Sequence, residues 1–312
     1  MNETKGARTV RRPSPPAVLL PVFLSVLFAF LFAVSCATVP PTADAPFLRK
    51  APFAGLGSAA AAYLKVDMAD CMPVMVEAAK LLGLKDNGSA FDRTESIAIA
   101  VFAPGAPRRF AVVAKGRYPP FWTALSLTMS REWKRERDGE GRRYWRSAKG
   151  YSLSFFRGGA FISDGPPFPD SSEPVLPRAV EERYLAAAAY GWMPVNEAAL
   201  SALPLNGLRL PVRELSFGVE KADGLFSLSC VASAASSREA RALSALLNLA
   251  RTFGALDAAT AGEGVSPAME LFGMLTETRP TLDGNDLLFL SRALSATELA
   301  LLCSRFSVYL AL

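Results

Sequence analysis

The 312-residue sequence contains no histidine. That absence removes the usual general base near neutral pH, the Ser-His-Asp and Cys-His nucleophile systems, and nearly all zinc sites. Cysteine is scarce, at four residues. Cys71, Cys230 and Cys303 are far apart, sit among apolar neighbours and lack metal-ligand spacing. One disulfide is compatible with an oxidising compartment, although buried free thiols suit the surroundings better. Ser-x-x-Lys, Gly-x-Ser-x-Gly and a phosphate-binding glycine loop ending in Lys-Ser/Thr are all missing. A real charge excess is missing too. Four of the 34 basic residues and one of the 29 acidic residues precede Cys36, leaving 30 against 28. The high sequence pI of about 9.1 therefore belongs mostly to the leader, and a nucleic-acid role loses its main support.

The chain does contain one long uncharged run, residues 17–36, preceded by Lys5, Arg8, Arg11 and Arg12 against Glu3. A basic start, an apolar middle and small residues before a processing point make a secretory signal. Residues 17–34 are also just long enough for an uncleaved membrane anchor, but Pro21 and the small residues Ala33, Ser35 and Ala37 favour processing. Arg11-Arg12 followed by Pro-Ser-Pro-Pro is a poor twin-arginine signal. The sequence Ala33-Val34-Ser35-Cys36 resembles the lipobox of bacterial lipoproteins, in a loose form like that of spirochaete lipoproteins. The resemblance covers the leader alone. It implies that residues 1–36 hold the signal peptide and a lipidated Cys36, acylated with a fatty acid such as palmitate. The protein is then expected in the cell envelope, lipid-anchored to a bacterial membrane on its periplasmic side or at the cell surface.

Residues 37–58, with Pro40, Pro41, Pro46, Pro52, Gly55 and Gly57, read as a flexible tether. Beyond it, two similar series of elements are expected. Residues 61–68 alternate as a strand, and residues 71–82 carry apolar positions at helical spacing with Pro73 in the first turn. A hairpin spans 96–115, a helix 119–131, and a strand meander 133–162. After a linker at 166–180 the order recurs. Tyr63-Leu64 and Met72-Pro73-Val74 reappear 121 residues later as Tyr184-Leu185 and Met193-Pro194-Val195. A hairpin turns at Asp223-Gly224, and Ser236 with Glu239 forms a capping box. Leu243, Leu246, Leu247, Ala250 and Phe253 mark the apolar stripe of that helix. Ala160-Phe161-Ile162-Ser163 matches Leu288-Phe289-Leu290-Ser291 at an offset of 128 if residues 254–267 are an insertion. Ser295 and Glu298 start a C-terminal helix. The expected class is α+β, with two tandem split β-α-β-β-α-β repeats, 59–165 and 181–312, whose antiparallel sheets are covered by helices on one face.

Three groups of residues carry possible chemistry. Residues 133–149 hold seven basic residues, with Glu136, Asp138 and Glu140 between them, and three aromatics. Trp133, Arg135, Arg142, Arg143, Tyr144 and Trp145 form a possible binding surface for anionic headgroups, envelope polymer or a partner, on a hairpin that cross-strand ion pairs alone would also explain. Arg108, Arg109, Tyr118 and Trp122 sit near a helix start that could hold an anion, but Pro119 and Pro120 remove two of its amides. Asp-Gly pairs at Asp138, Asp164, Asp223 and Asp283 read as turns, since they lack the spacing of a calcium loop. No metal, cofactor or catalytic residue is implied. The expected protein is a non-enzymatic envelope binding or scaffold module whose partner is another envelope protein or an apolar ligand, not nucleic acid. The alternatives are a carrier holding an apolar ligand such as lipid between sheet and helices, and a histidine-free hydrolase acting through carboxylates.

Overall fold

A computed structural model of the chain describes residues 51–81, 92–103, 105–118, 127–172, 174–195, 211–260 and 279–309, together with 273 and 277. The leader and Cys36, most of the tether, Trp122 and residues 261–272 lie outside the described residues.

The first strand, β1 (Ala62–Asp67), runs directly into α1 (Met68–Leu81). The Asp67 carboxylate accepts a hydrogen bond from the Ala69 amide and caps the helix start. The helix thus begins three residues before the expected Cys71, and Pro73 falls beyond the first turn. The period-2 alternation through Met68 hid this boundary. The hairpin β2 (Thr94–Val101) and β3 (Phe110–Gly116) follows, then β4 (Trp133–Arg137), β5 (Arg143–Ser147), β6 (Ser152–Phe156) and β7 (Gly159–Ser163). The short helix α2 (Arg178–Arg183) leads to β8 (Ala189–Pro194), then β9 (Glu214–Ala222) and β10 (Leu225–Ser233). Asp223 has φ 52° and Gly224 φ 78°, the left-handed pair that a tight two-residue hairpin needs. Next come α3 (Ser237–Thr260), β11 (Thr281–Asp283), β12 (Asp286–Leu290) and α4 (Ala296–Tyr309). Helix α3 continues through Thr260, beyond the expected start of an insertion at Gly254, because Ala255, Leu256, Ala258 and Ala259 are strong helix formers.

All twelve strands form one sheet, ordered β11-β12-β10-β9-β8-β1-β2-β3-β7-β6-β5-β4. Every named strand pair is antiparallel, so the α+β class with a large antiparallel sheet holds. The expected split order does not hold. A split unit would place a strand between β1 and β2, but these two pair directly from Ala62↔Val101 to Asp67↔Ser96. The other edge of β1 is taken by β8, from Tyr63↔Trp192 to Val66↔Ala189. Outward from this β1–β8 seam the order is β1-β2-β3-β7-β6 on one side and β8-β9-β10-β12-β11 on the other.

The residue pairs expected to be equivalent are not. Tyr63 is in a strand, whereas Tyr184 follows α2. Pro73 is in a helix, whereas Pro194 ends a strand. Phe161 and Phe289 occupy corresponding strands but belong to cores on opposite faces of the sheet. Short sequence identities align by residue count, while sheets align by hydrogen-bond register.

Strand alternation sorts the core onto two faces. On the helix face, Ile97, Ile99, Phe110, Val112, Trp145, Leu153 and Ile162 pack with Met68 and Ala79 of α1. Cys71, Val74 and Ala78 on a second stripe of α1 meet Leu299, Ala300 and Leu302 of α4, with Val219 and Phe226 beneath. Leu243 of α3 covers Ala232, Leu287 and Phe289. Leu246 is 57% exposed, so it lies off the buried stripe expected for it. On the opposite face, the end of the expected tether is ordered. Phe53, Leu56 and Ala60 pack on Tyr63, Ala98, Ala100 and Ala111, with Val180 and Tyr184 at their flank. The small alanines leave the depth that these bulky residues fill. Asp170 and Ser172 fasten the expected linker to this strap, through the Asp170 amide to the Gly55 carbonyl and the Ser58 amide to the Ser172 hydroxyl.

Candidate functional site

The basic, aromatic ribbon expected as a binding surface is divided by strand alternation. Trp145 is 2% exposed and belongs to the helix-face core, and Tyr144 is buried as well. Arg135, Arg142 and Arg143 are exposed, and Trp133 is half-buried. Arg135 lies over the Trp145 ring with its guanidinium carbon 5.7 Å from the centroid. The Tyr144 hydroxyl donates to Glu136 at 2.6 Å, and Arg142 covers the Phe168 ring at 4.0 Å. Arg142 also pairs with Asp138 at 2.7 Å. Desolvation is the largest single influence on the Asp138 carboxyl and raises it, but the hydrogen bonds and charge of Arg142, with the Glu140 amide, together outweigh it and hold the group below the usual carboxylate range. These aromatics and most of these charges already have partners within the chain, so the ribbon is not one continuous surface.

The expected anion cluster is also dispersed. Arg108 stacks between Phe102 and Phe161, its guanidinium carbon 5.7 Å and 5.9 Å from their centroids. Arg109 pairs with Asp164 at 2.7 Å. The Tyr118 hydroxyl is 3.0 Å from that of Thr94. Asp138-Gly139 acts as a turn, its carboxylate accepting the Glu140 and Arg142 amides, whereas the Asp164 carboxylate reaches to the distant Arg109 and Phe110 amides at the start of β3. Among the described residues no group of three or more Cys, Asp or Glu side chains is placed to hold a metal. The three cysteines are free. Cys71 is buried, donates to the Ala188 carbonyl at 3.4 Å, and has its thiol pushed up to about 12 by burial and the nearby Asp67 and Asp70. Cys230 is half-buried and Cys303 exposed, so the expectation of three buried thiols holds only for Cys71.

The sequence offered no signal for Phe217. It lies in β9, three strands from the edge at β11, opposite Gly191 on β8 and Cys230 on β10. Its ring sits where a Cβ on Gly191 would be, so the glycine provides its seat. Yet Phe217 is 41% exposed. Its neighbours two residues away along β9 are covered: Val219 belongs to the α4 cluster and Leu215 packs against the α3 cluster. Those two positions are about 13 Å apart at the usual rise of a strand. Half-buried Met193, Leu228 and Cys230 complete the surroundings on the same face. This is a short apolar slot between two packed clusters, and burial pushes the Cys230 thiol up to about 11. Such a slot can take an apolar group; among the described residues named around it there is no carboxylate or amine, and its one thiol, Cys230, is kept protonated by burial.

No family model matches this chain, and no curated protein matches it. Solved structures do. Crystal form III of TP0453 matches with TM-score 0.55 at 16% identity, over 83% of this chain and 98% of that one. Crystal form I gives 0.52 at 18%, with the same coverage. Form IV gives 0.55 at 16%, over 81% and 96%. At this identity the likeness is one of fold. The long antiparallel sheet is thus an architecture realised in a crystallised protein of similar extent. Among the described residues no helix is long and apolar enough to cross a membrane.

Proposed function

We propose that this protein is a lipid-anchored, non-enzymatic binding module of the bacterial cell envelope, and that the apolar slot around Phe217 receives its ligand. The observation that carries the reading is the exposed phenylalanine in an inner strand, seated on a glycine and flanked by covered neighbours. A large ring left in water there forfeits part of the roughly 1.5–3 kcal/mol that full burial would give. The slot's narrow span suits a slender apolar chain, such as a lipid tail, better than a broad protein face. This favours the carrier form of the reading over the scaffold form. The anchor is Cys36, through the lipobox-like sequence before it. No reaction is proposed, since the chain has no histidine and the slot has no carboxylate pair.

Two halves related by duplication belong to the same reading. Its support is the matching strand order outward from the β1–β8 seam, with β4 and β5 as additions to the first half. In this view the ligand slot is the place where the second half has not filled its helix face.

The test is a titration of the full chain, in detergent-free nanodiscs, with a fluorescent long-chain fatty acid, on the parent and on Phe217→Glu. Saturable binding weakened at least about tenfold by the substitution supports the slot, since a charge there meets an apolar group. Unchanged binding, or none to the parent, rejects it. Cys36→Ser separately tests the anchor: retention of normal mature size and membrane association in that variant would overturn lipidation.

A further inference from the structure

A second interaction surface lies at the edge of the sheet away from the slot. The outermost strand there is β4, and among the described residues no strand pairs with its free side. Its neighbour β5 fixes which backbone groups are left over. The Ala148 amide donates to the Glu132 carbonyl at 2.7 Å, and the Asp138 amide donates to the Arg142 carbonyl at 3.0 Å. Between these two bonds the register is unbroken, from Trp133↔Ser147 to Arg137↔Arg143. Antiparallel ladders alternate, so Lys134 and Glu136 bond to β5, while Trp133, Arg135 and Arg137 turn their N–H and C=O groups outward. Ser147, opposite Trp133, has the matching phase: its amide donates to the Tyr151 carbonyl, away from β4.

An open edge joins other strands unless its side chains prevent it. A run of one charge would make two copies of β4 repel. Here Glu136 interrupts the basic residues, and the strand reads Trp-Lys-Arg-Glu-Arg. A second copy laid antiparallel on a two-fold axis at Arg135 matches the bonding phase, since the three outward residues are centred there. Lys134 then faces the partner's Glu136, and Trp133 faces the partner's Arg137, each twice by symmetry. The first contact is an ion pair and the second a cation–π contact. Shifting the pairing by two residues either way sets Lys134 against the partner's Lys134 or Glu136 against the partner's Glu136, so one register is favoured. In that register Arg135 meets its own equivalent, but its guanidinium is drawn over the Trp145 ring of its own sheet, 5.7 Å from the centroid. Beyond the strand, Glu132 comes opposite the partner's Asp138, and Arg142 balances that aspartate at 2.7 Å within each chain. The Tyr144 hydroxyl donates to one Glu136 oxygen, Oε2, which leaves Oε1 for a lysine. Lys134, Arg135, Glu136 and Arg137 are exposed, and among the described residues none of them makes an ion pair within the chain.

We propose that two copies of this protein associate edge to edge through β4, in the register centred on Arg135, and join their two sheets into one. The two-fold axis is perpendicular to the sheet, so both helix faces come to the same side. The contact uses the first half of each chain and leaves Phe217 in the second half untouched.

Disulfide trapping reads this register directly. The full chain carries Cys36→Ser and Cys303→Ser, and the same chain without an added thiol gives the background. Arg135→Cys then sets two thiols across a facing pair whose Cα atoms are about 5.5 Å apart, within disulfide reach. Copper–phenanthroline should convert this variant to a covalent dimer about tenfold faster than Arg137→Cys, whose equivalents lie about 14 Å apart. Trp133→Cys and Arg137→Cys should link to each other when mixed, and neither should link to itself. Lys134→Glu added to Arg135→Cys should slow trapping about threefold or more. Adding Glu136→Lys as well should restore the rate, because the swapped pair again has opposite charges, and this separates loss of contact from loss of fold. Equal trapping at positions 135 and 137, no gain on mixing, or a charge swap that leaves the rate low overturns the interface.

Discussion

The two sides of the β1–β8 seam share a strand order and differ in how completely they close. On the first side, the helix face of β2, β3, β6 and β7 is sealed: Ile97, Phe110, Val112, Leu153 and Ile162 are all fully buried. On the second side the corresponding row includes Phe217, Leu228 and Cys230, none of which is fully buried. The backbone ladder runs through both, with nine paired positions between β9 and β10 and seven between β2 and β3, where the register shifts between Thr94 and Ser96. Hydrogen bonding therefore fixes the architecture in both halves, while side-chain filling distinguishes them. One half is closed over its helix face, and the other leaves Phe217 partly exposed.

The largest effect should come from a matched pair of truncations. Phe110→Ala should cost about 3–5 kcal/mol, because it empties a sealed core. Phe217→Ala should cost about 1 kcal/mol or less, because its ring is already partly solvated. Urea unfolding of both variants measures this difference, and equal losses would break the contrast. The next effect separates the faces of the second half. A Cβ at Gly218 would strike the Tyr184 ring, which is buried and stacked, whereas one at Gly191 would strike the exposed Phe217 ring. Gly218→Ala should then cost about 1–3 kcal/mol, and Gly191→Ala clearly less, with Phe217 swinging outward. Thermal melts of the two variants decide, and a larger loss at Gly191 would mean that Phe217 is held more firmly than its exposure implies.

The smallest effect is a pH response of α4, which covers part of the second half. Its capping box is complete: the Glu298 amide donates to the Ser295 hydroxyl at 3.2 Å, and the Ser295 amide donates back to Glu298 at 2.8 Å. Arg292 adds a contact at 2.8 Å. These bonds, led by the Ser295 amide, hold the Glu298 carboxyl down at about 2, against an ordinary 4.5. A depressed carboxyl stabilises the folded state above its unfolded value. That contribution should be whole above pH 4.5 and disappear as pH falls towards 2. Glu298→Gln should flatten this part of the ellipticity profile at acid pH. An unchanged profile would show that the cap does not hold the helix.

Much of the local structure was legible in the sequence. The Ser295–Glu298 box, the Ser236 cap and the Asp223-Gly224 turn each rest on chemistry within four residues, which sequence displays directly; the Ser236–Glu239 box is only half formed, since the Ser236 hydroxyl accepts the Glu239 amide but the Glu239 carboxylate does not return the bond. The start of α1 was missed because Asp67 fits both a strand alternation and a helix cap. The strand order could not be read, since nothing around Tyr63 says that its neighbour across the sheet is Trp192. Trp145 was read as a surface aromatic because the charges around it dominate its composition, although the alternation of β5 turns it inward. The slot was invisible for a related reason. Phe217 looks like any core phenylalanine, and only its seat on Gly191 and its incomplete cover set it apart.

The β1–β8 seam also has a consequence for the order in which the protein assembles. The hairpins β2–β3, β5–β6 and β9–β10 join residues near one another in the chain and can close within microseconds. The seam pairs Tyr63 with Trp192 and stacks their rings 5.5 Å apart. It must close a loop of well over a hundred residues before its contacts repay the entropy lost. Each half is thus expected to gather itself first, and the seam to zip last. Until that happens β1 and β8 each present an unpaired edge, and two nascent chains could join through them as readily as one chain joins itself. Correct assembly then depends on the two halves being tied to each other by the linker, whose high local concentration favours the intramolecular partner.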